Sequence, residues 1–180
     1  MDTTTTLNKA QIKNLFDYSA RCWQKMEELL RNNAEEFHRP FATTAQWNTV
    51  RLILAHTIAA EERWILLRLQ GIEIPVGYEK RAAASIEQLC ADQRDIRELT
   101  LAYLDQLTEE ELAEKVPVNL PQWDFQGGLP RADIFFHIIN HESHHRGQVI
   151  MALQRFGVDP PNFDYVLLYP VKQSPGESGE

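Results

Sequence analysis

Cysteines, long apolar runs and clusters of basic residues are all scarce in this sequence of 180 residues. Its two cysteines, Cys22 and Cys90, are too few for a disulfide framework, so both are expected to be reduced and buried. The longest apolar stretches, at 64–69 and 149–153, are far shorter than the roughly 20 residues of a membrane helix, so no membrane span is predicted. The first six residues, MDTTTT, lack the basic and apolar regions of a signal peptide, so the expected location is the cytoplasm.

The charge balance of the chain is acidic. It has 18 Lys and Arg residues against 26 Asp and Glu residues, which gives a formal net charge of −8. Without a basic patch the chain lacks a surface for phosphate backbones, so neither nucleic acid nor an anionic membrane is expected as a partner. A chain of this length with 43% hydrophobic residues can bury one core. We expect a single helical domain over residues 1–171 and a polar tail over residues 172–180 that frays.

Hydrophobic periodicity predicts four long helices. Apolar residues spaced three and four apart indicate a first amphipathic helix over residues 7–33. A capping box at residues 43–46 and a terminating Gly71 predict a second helix over residues 45–70. A third helix of about 20 residues follows Ser85, and a last long helix begins at Pro130 and ends at Gly157.

The connections between these helices are predicted to be long and mostly irregular. Residues 108–111 form another capping box, which predicts a short helix. Residues 116–120 and 122–125 could pair as a small hairpin before the last helix. Residues 158–170 are apolar but broken by proline, which favours irregular chain. The predicted fold class is therefore all-α, a four-helix bundle with long connections and a small hairpin.

Histidine is the residue type that stands out. Four of the six histidines, His137, His141, His144 and His145, fall within nine residues of the last helix. At about 100° per residue, all four lie within roughly 60° of His141 and therefore share one helix face. Two imidazoles at positions i and i+4 can bind one metal ion, with each ring nitrogen about 2.0 to 2.1 Å from it. Because such a pair alone binds weakly, a third ligand is expected from another helix.

His56, near the middle of the second helix, is the candidate for that third ligand. The face of the helix that carries it is mainly apolar, which points it into the bundle. A single histidine on such a face is usually a hydrogen-bonded core residue. Burying three imidazoles without a metal ion, however, would leave several polar groups unsatisfied. Periodicity alone does not decide whether His137 or His144 replaces a member of the pair formed by His141 and His145.

Residues 141–145 read His-Glu-x-x-His, the motif of zinc proteases in which the glutamate, here Glu142, is the general base. A longer form of that motif requires a glycine and a third histidine at positions that hold Gln148 and Met151 in this chain. No predicted edge strand could bind an extended peptide by backbone pairing. A zinc protease is therefore the weakest of the alternatives.

Two longer segments resemble the DinB/YfiT family of metal-binding four-helix proteins. In the last helix, residues 140–148 are similar to the family's N-H-x-x-H-H-R-G-Q segment. In the second helix, residues 54–64 are similar to its L-x-H-x-x-x-x-E-x-x-W pattern. The resemblance covers almost the whole chain in helix order and length, and it implies a four-helix bundle of the DinB/YfiT type. It also implies that a divalent metal ion is bound by His56, His141 and His145, while His137, His144 and Glu142 lie outside that triad.

The resemblance also implies a function. Three protein ligands leave a fourth position for water or substrate, as in catalytic zinc sites. The resemblance implies a metal-dependent enzyme that acts on a small molecule, either as a thiol S-transferase or as a hydrolase. An S-transferase would also use a low-molecular-weight thiol. We expect zinc, with nickel or iron as alternatives. Gln148 and Arg63 lie on the ligand-bearing faces, and Trp123 with Asp124 lies in the loop just before the last helix, so these residues could complete the site. From another functional class, the alternative is a non-catalytic metal-binding module of a stress response.

The last helix has a second apolar side, roughly opposite His141, that includes Phe136, Ile139 and Ile150. A helix that is apolar on nearly every side is covered by its own chain or by a partner. We therefore expect a homodimer to which the last helix contributes.

Overall fold

The computed structural model describes residues 7–44, 46–81 and 85–169, and most of these residues lie in helices. In chain order, the α-helices are α1 (Lys9–Arg31), α2 (Val50–Glu62), α3 (Tyr78–Arg81), α4 (Ile86–Gln106), α5 (Glu109–Ala113), α6 (Arg131–Arg155) and α7 (Tyr165–Leu168). The helices α1, α2, α4 and α6 are the four long ones that the periodicity predicts. The predicted mostly helical fold is therefore confirmed.

Side-chain caps fix where several of these helices begin. Asn8 accepts a hydrogen bond from the backbone amide of Gln11 at 2.9 Å, and the Gln11 side chain accepts one from the amide of Asn8 at 3.0 Å. Ser85 caps α4, and the predicted capping box of Thr108 and Glu111 is present at α5. These caps bind first-turn amides that have no partner within their own helix.

The second long helix begins later than predicted. α2 begins at Val50 rather than near residue 45, and Thr49 caps it by accepting the amide of Leu52 at 3.2 Å. The predicted first residue, Ala45, lies outside the described residues, whereas residues 41–44 and 46–48 form irregular chain. This segment holds Trp47 against the ring of His56. A tertiary contact of this kind cannot be inferred from a local capping pattern.

α2 continues without a break into a π-helical segment, Arg63–Leu69. As predicted, the helix ends at Gly71, whose φ of +69° is a left-handed conformation that glycine adopts without strain. π-helical turns are uncommon and frequently occur at functional sites. Here the segment places Arg63 beside Glu79 and Trp64 beside His137.

The predicted hairpin is present before the last helix. Its antiparallel strands are β1 (Lys115–Leu120) and β2 (Phe125–Pro130), with Val118 opposite Gly127. The predicted second strand, over residues 122–125, is wrong, because residues 121–123 form a 3-10 turn and Asp124 takes a left-handed conformation. Pro130 ends β2 and is the cap of α6, and Gly157, with a φ of +87°, ends α6 as predicted.

The long helices pack as a bundle around the site. α2 packs against α4 and α6, and α1 packs against the same two helices. Two apolar clusters fill the interior, one around Trp23, Leu30 and Ile53 and the other around Phe16 and Phe135. The histidine-bearing faces of α2 and α6 meet in this bundle, which brings distant parts of the chain together.

Beyond α6 the chain differs from the predicted irregular path. The short helix α7 lies there and packs against α1, with the Tyr165 ring 5.1 Å from that of Tyr18. A helix of four residues is too short to show a periodic pattern, and the prolines at 160 and 161 interrupt the sequence just before it. The predicted polar tail, residues 172–180, lies outside the described residues. Among the described residues, no helix is long and apolar enough to cross a membrane.

The chain itself covers much of the second apolar side of α6. Ile139 is 5% exposed and Ile150 packs against the core, whereas Phe136 is 48% exposed. The homodimer that was inferred from this side therefore stays a prediction.

Candidate metal centre

Three histidines from two helices meet at one point of the bundle. His56 lies on α2, and His141 and His145 lie on successive turns of α6. One ring nitrogen of each lies within 4.8 Å of the others, and the Nε2 atoms of His141 and His145 are 3.2 Å apart. Two nitrogens that bind zinc tetrahedrally at about 2.0 to 2.1 Å are about 3.3 Å apart. The chemistry and spacing of these donors fit a divalent ion, so the cluster could hold one.

Glu79, on α3, orients the ring of His56. Its Oε1 accepts a hydrogen bond from His56 Nδ1 at 2.5 Å, and its Oε2 accepts one from Arg63 at 3.1 Å. With its proton on Nδ1, the His56 ring has its free lone pair on Nε2. In zinc proteins, a carboxylate commonly accepts the outer N–H of a ligating histidine and fixes the ring in this way.

Electrostatics favour this arrangement of His56 and Glu79. Burial raises the pKa of the Glu79 carboxyl, but its hydrogen bond with His56 and the charge of Arg63 outweigh burial and hold that pKa below its ordinary value. Burial lowers the pKa of His56, although Glu79 opposes the shift. Near neutral pH Glu79 is therefore a carboxylate and His56 a neutral imidazole.

Gln148 orients the ring of His145, as Glu79 orients that of His56. Its Oε1 accepts a hydrogen bond from His145 Nδ1 at 2.8 Å, which leaves Nε2 of His145 free. The amide nitrogen of Gln148 then lies 3.2 Å from Nε2 of His144 and donates to it. His144 is exposed, and the centre of its ring lies 5.0 Å from that of His145.

Burial and the neighbouring imidazoles keep the α6 pair neutral. Burial, together with the nearby histidine rings, lowers the pKa of His141 to about 3. Burial lowers the pKa of His145 to about 4, against the opposing effect of its bond with Gln148. Neutral imidazoles have the free lone pairs that bind metal ions.

Aromatic rings enclose the cluster. Trp47 stacks on His56 with ring centroids 3.7 Å apart, and its edge meets His145 at 5.5 Å. Toward the start of α6, the ring of His137 lies 5.7 Å from that of His141 and packs against Trp64 at 4.9 Å. His137 therefore adjoins the cluster but is not one of the three residues whose ring nitrogens converge.

Glu142 belongs to a different environment from the histidines on either side of it. It lies about 100° around the helix from His141 and is 6% exposed. Its carboxylate accepts hydrogen bonds from Ser19 at 2.8 Å, from Arg97 at 2.9 Å and from Arg146 at 3.2 Å. A carboxylate held in this way is not placed to activate water at the histidines, so the structure does not support the zinc-protease hypothesis.

The same buried ion pairs connect all four long helices. Arg97, on α4, forms two parallel hydrogen bonds with Glu61 of α2, at 2.9 and 3.0 Å. Arg97 also donates to Ser19 of α1 and to Glu142 of α6. Glu61 is the glutamate of the family-like pattern in the second helix, and Arg146 is the arginine of the family-like segment in the last helix. Those segments therefore contain both the histidine cluster and much of the network that fixes the helices around it.

The sequence predicts much of this site and misses part of it. The three predicted ligands, His56, His141 and His145, are brought together, and Gln148 and Arg63 contact the cluster or the residue that orients it. Trp123, by contrast, is 72% exposed, and it lies with Asp124 in the turn between β1 and β2. Trp47 and Glu79 are not among the predicted site residues. Both come from connecting segments without a periodic pattern, so no signal in the sequence indicates where they point.

Comparison with known proteins agrees with the fold. The model of the DinB family matches residues 1–176. The fold is similar to the crystal structure of a DinB-like protein from Bacillus cereus ATCC 10987, with a TM-score of 0.66 and 19% sequence identity, over 85% of this chain and 95% of that chain. No curated protein sequence matches the chain. Because the family model spans nearly the whole sequence, the chain belongs to the DinB family.

Proposed function

We propose that this protein is a metal-dependent enzyme that binds a divalent cation through His56, His141 and His145 and acts on a small molecule. One observation carries the proposal. Three imidazoles from two helices converge, and Glu79 and Gln148 hold the outer nitrogens of two of them. Orienting hydrogen bonds on the outer nitrogens are typical of metal sites, because they fix the ring and leave its other nitrogen, an acceptor, free to bind the ion.

The cation we propose is zinc, and nickel or iron would suit the same three imidazoles. When bound by three protein ligands, such an ion keeps an open position and supplies the Lewis acidity that lowers the pKa of a thiol or a water molecule beside it. For a thiol the reaction is an S-transfer, in which sulfur bonds to an electrophilic carbon, the leaving group departs with the bonding electrons, and the thiol proton passes to solvent. For water the reaction is a hydrolysis.

The side chains around the cluster would position these reactants. Trp47 covers one side of His56, so a reactant cannot approach the cluster through that ring face. His144 is exposed to solvent, and it is hydrogen-bonded to Gln148. The half-buried His137 and the buried Trp64 border the cluster toward the start of α6.

Elemental analysis tests the metal site. Protein purified without chelators or a metal-affinity tag should contain about one divalent ion per chain, and His56→Ala should lose it. His38→Ala, which removes an exposed histidine far along the chain from the cluster, is the matched control and should keep the ion. Absence of any bound divalent ion in the native protein, after incubation with zinc, nickel and iron, would refute the proposal.

Turnover tests the enzymatic part. The metal-loaded protein should accelerate the reaction of a low-molecular-weight thiol such as cysteine with 1-chloro-2,4-dinitrobenzene, or the hydrolysis of an activated ester. Treatment with EDTA should remove that acceleration, and added zinc should restore it. A large loss of thermal stability on metal removal, with no turnover of either kind, would instead support the non-catalytic metal-binding module.

A further inference from the structure

A groove with a volume of about 520 Å³ lies beside the histidine cluster. It runs between the irregular segment that precedes α2 and the second half of α6. His144 and Arg155 both line it, and a helical rise of about 1.5 Å per residue separates their Cα atoms by about 16 Å. The groove is therefore long enough for a ligand of two fused or linked rings, and its volume is typical of small-molecule sites.

The walls of the groove are largely apolar. Phe41 and Trp47 line the side formed by the irregular segment, and Met151, which is 59% exposed, lines the side formed by α6. Gly147 also lines the groove, and a Cβ at that position would meet open space beyond its own stretch of helix. A flat apolar ligand would remove these surfaces from water, which is favourable.

The end of the groove away from the cluster is positively charged. Arg155 is the only Asp, Glu, Lys or Arg among the described residues that line it. One of its nitrogens donates to the carbonyl of Ala42 at 3.0 Å, which holds the guanidinium against the irregular segment. Within residues 7–44, 46–81 and 85–169, no carboxylate lies within 4.0 Å of Arg155. In a chain with a net charge of −8, this guanidinium favours an anionic ligand group.

The other end of the groove is lined by two residues that contact the proposed metal ligands. Trp47 lines the groove and stacks on His56, while Gln148 lines it and holds His145. A ligand whose anionic group lies on Arg155 would therefore extend its other end toward two residues that contact the proposed metal ligands.

We propose that this groove binds a small amphiphilic molecule with a flat apolar body and one anionic group, a carboxylate or a sulfonate. The anionic group binds Arg155, and the apolar body packs between Trp47 and Met151. That this ligand is the substrate rests on the proposed function, whereas its binding does not require a metal ion.

Two matched fluorescent probes test the groove. One is 8-anilinonaphthalene-1-sulfonate, and the other is N-phenyl-1-naphthylamine, which has the same rings without the sulfonate. Both are titrated against the folded, EDTA-treated protein. Arg155→Gln should weaken binding of the sulfonate about tenfold, the loss of one charge-assisted hydrogen bond, and change binding of the neutral probe less than about twofold. Trp47→Ala should weaken both probes to a similar extent.

Arg94→Gln is the control variant, because Arg94 lines a groove of similar volume, about 540 Å³, between α1 and α4. It should leave both probes unaffected. The proposal is overturned if the native protein shows no saturable binding, if Arg155→Gln weakens both probes equally, or if Arg94→Gln has the larger effect. Metal analysis of the same samples separates the two proposals. Metal without probe binding refutes the groove alone, and probe binding without metal refutes the metal-dependent function alone.

Discussion

Replacing Glu142 with glutamine should destabilise the fold by about 3 to 5 kcal/mol while leaving the histidine cluster able to bind metal. In the native structure the two buried guanidinium groups of Arg97 and Arg146 face two buried carboxylates, Glu61 and Glu142. Glu142→Gln keeps the size of the side chain but removes one of the two negative charges. Arg97 retains Glu61, whereas Arg146 keeps the hydroxyl groups of Tyr18 and Ser143 but has no second carboxylate within 4.0 Å among the described residues.

The magnitude follows from that uncompensated charge. Arg146 is 8% exposed, so water cannot readily replace the lost carboxylate. Breaking a buried ion pair from one side typically costs about 3 to 5 kcal/mol. For a chain of this length, such a loss lowers the melting temperature by about 10 °C.

Thermal and urea unfolding of the metal-free protein provide the assay, because a bound ion would add its own contribution to stability. Glu98→Gln is the matched control. It makes the same change at an exposed position next to Arg97 and should alter stability by less than about 0.5 kcal/mol. If Glu142→Gln melts within about 2 °C of the native protein and loses its metal instead, the assignment of Glu142 to the ion network is wrong.

Three further predictions concern other parts of the molecule. Glu79→Gln should lower the metal affinity about 10- to 100-fold, because an amide orients His56 less firmly than a carboxylate does. Glu73→Gln, at an exposed position, is the control and should leave the affinity unchanged. Equal affinities of the two variants in a competitive chelator titration would contradict the role of Glu79. Burial raises the pKa of Cys90 to about 11. Because only the thiolate reacts, iodoacetamide at pH 8 should alkylate Cys90 about a hundredfold more slowly in the native protein than in guanidinium. The rate in the native protein should rise steeply up to pH 10. Light scattering should give the mass of a homodimer that Phe136→Asp dissociates, and a native monomer at micromolar concentration would refute that prediction.

Local sequence rules were sufficient to predict the end of a helix where residues at that end set it. Ser85, the capping box that begins at Thr108, and the glycines at 71 and 157 mark ends of helices where the structure has them. Each acts through hydrogen bonds or backbone angles within a few residues, so a sequence pattern contains all the information required. The same rules gave a wrong start for α2, because residues 43–46 offer one cap and Thr49 offers another. In the structure Thr49 is the cap, and residues 46–48 form irregular chain in which Trp47 stacks on His56.

The sequence by itself determined that the four clustered histidines of α6 share one face and that an apolar face turns His56 inward, while the choice of His141 and His145 among the four was implied by the family resemblance. Only the tertiary structure decided what surrounds them. The glutamate between those two histidines faces Arg97 rather than the cluster, and the carboxylate that does contact a proposed ligand, Glu79, comes from a connecting segment. The physical reason is that periodicity fixes the direction of a side chain relative to its own helix axis. The partner that it meets depends on how helices and connections distant in sequence pack together.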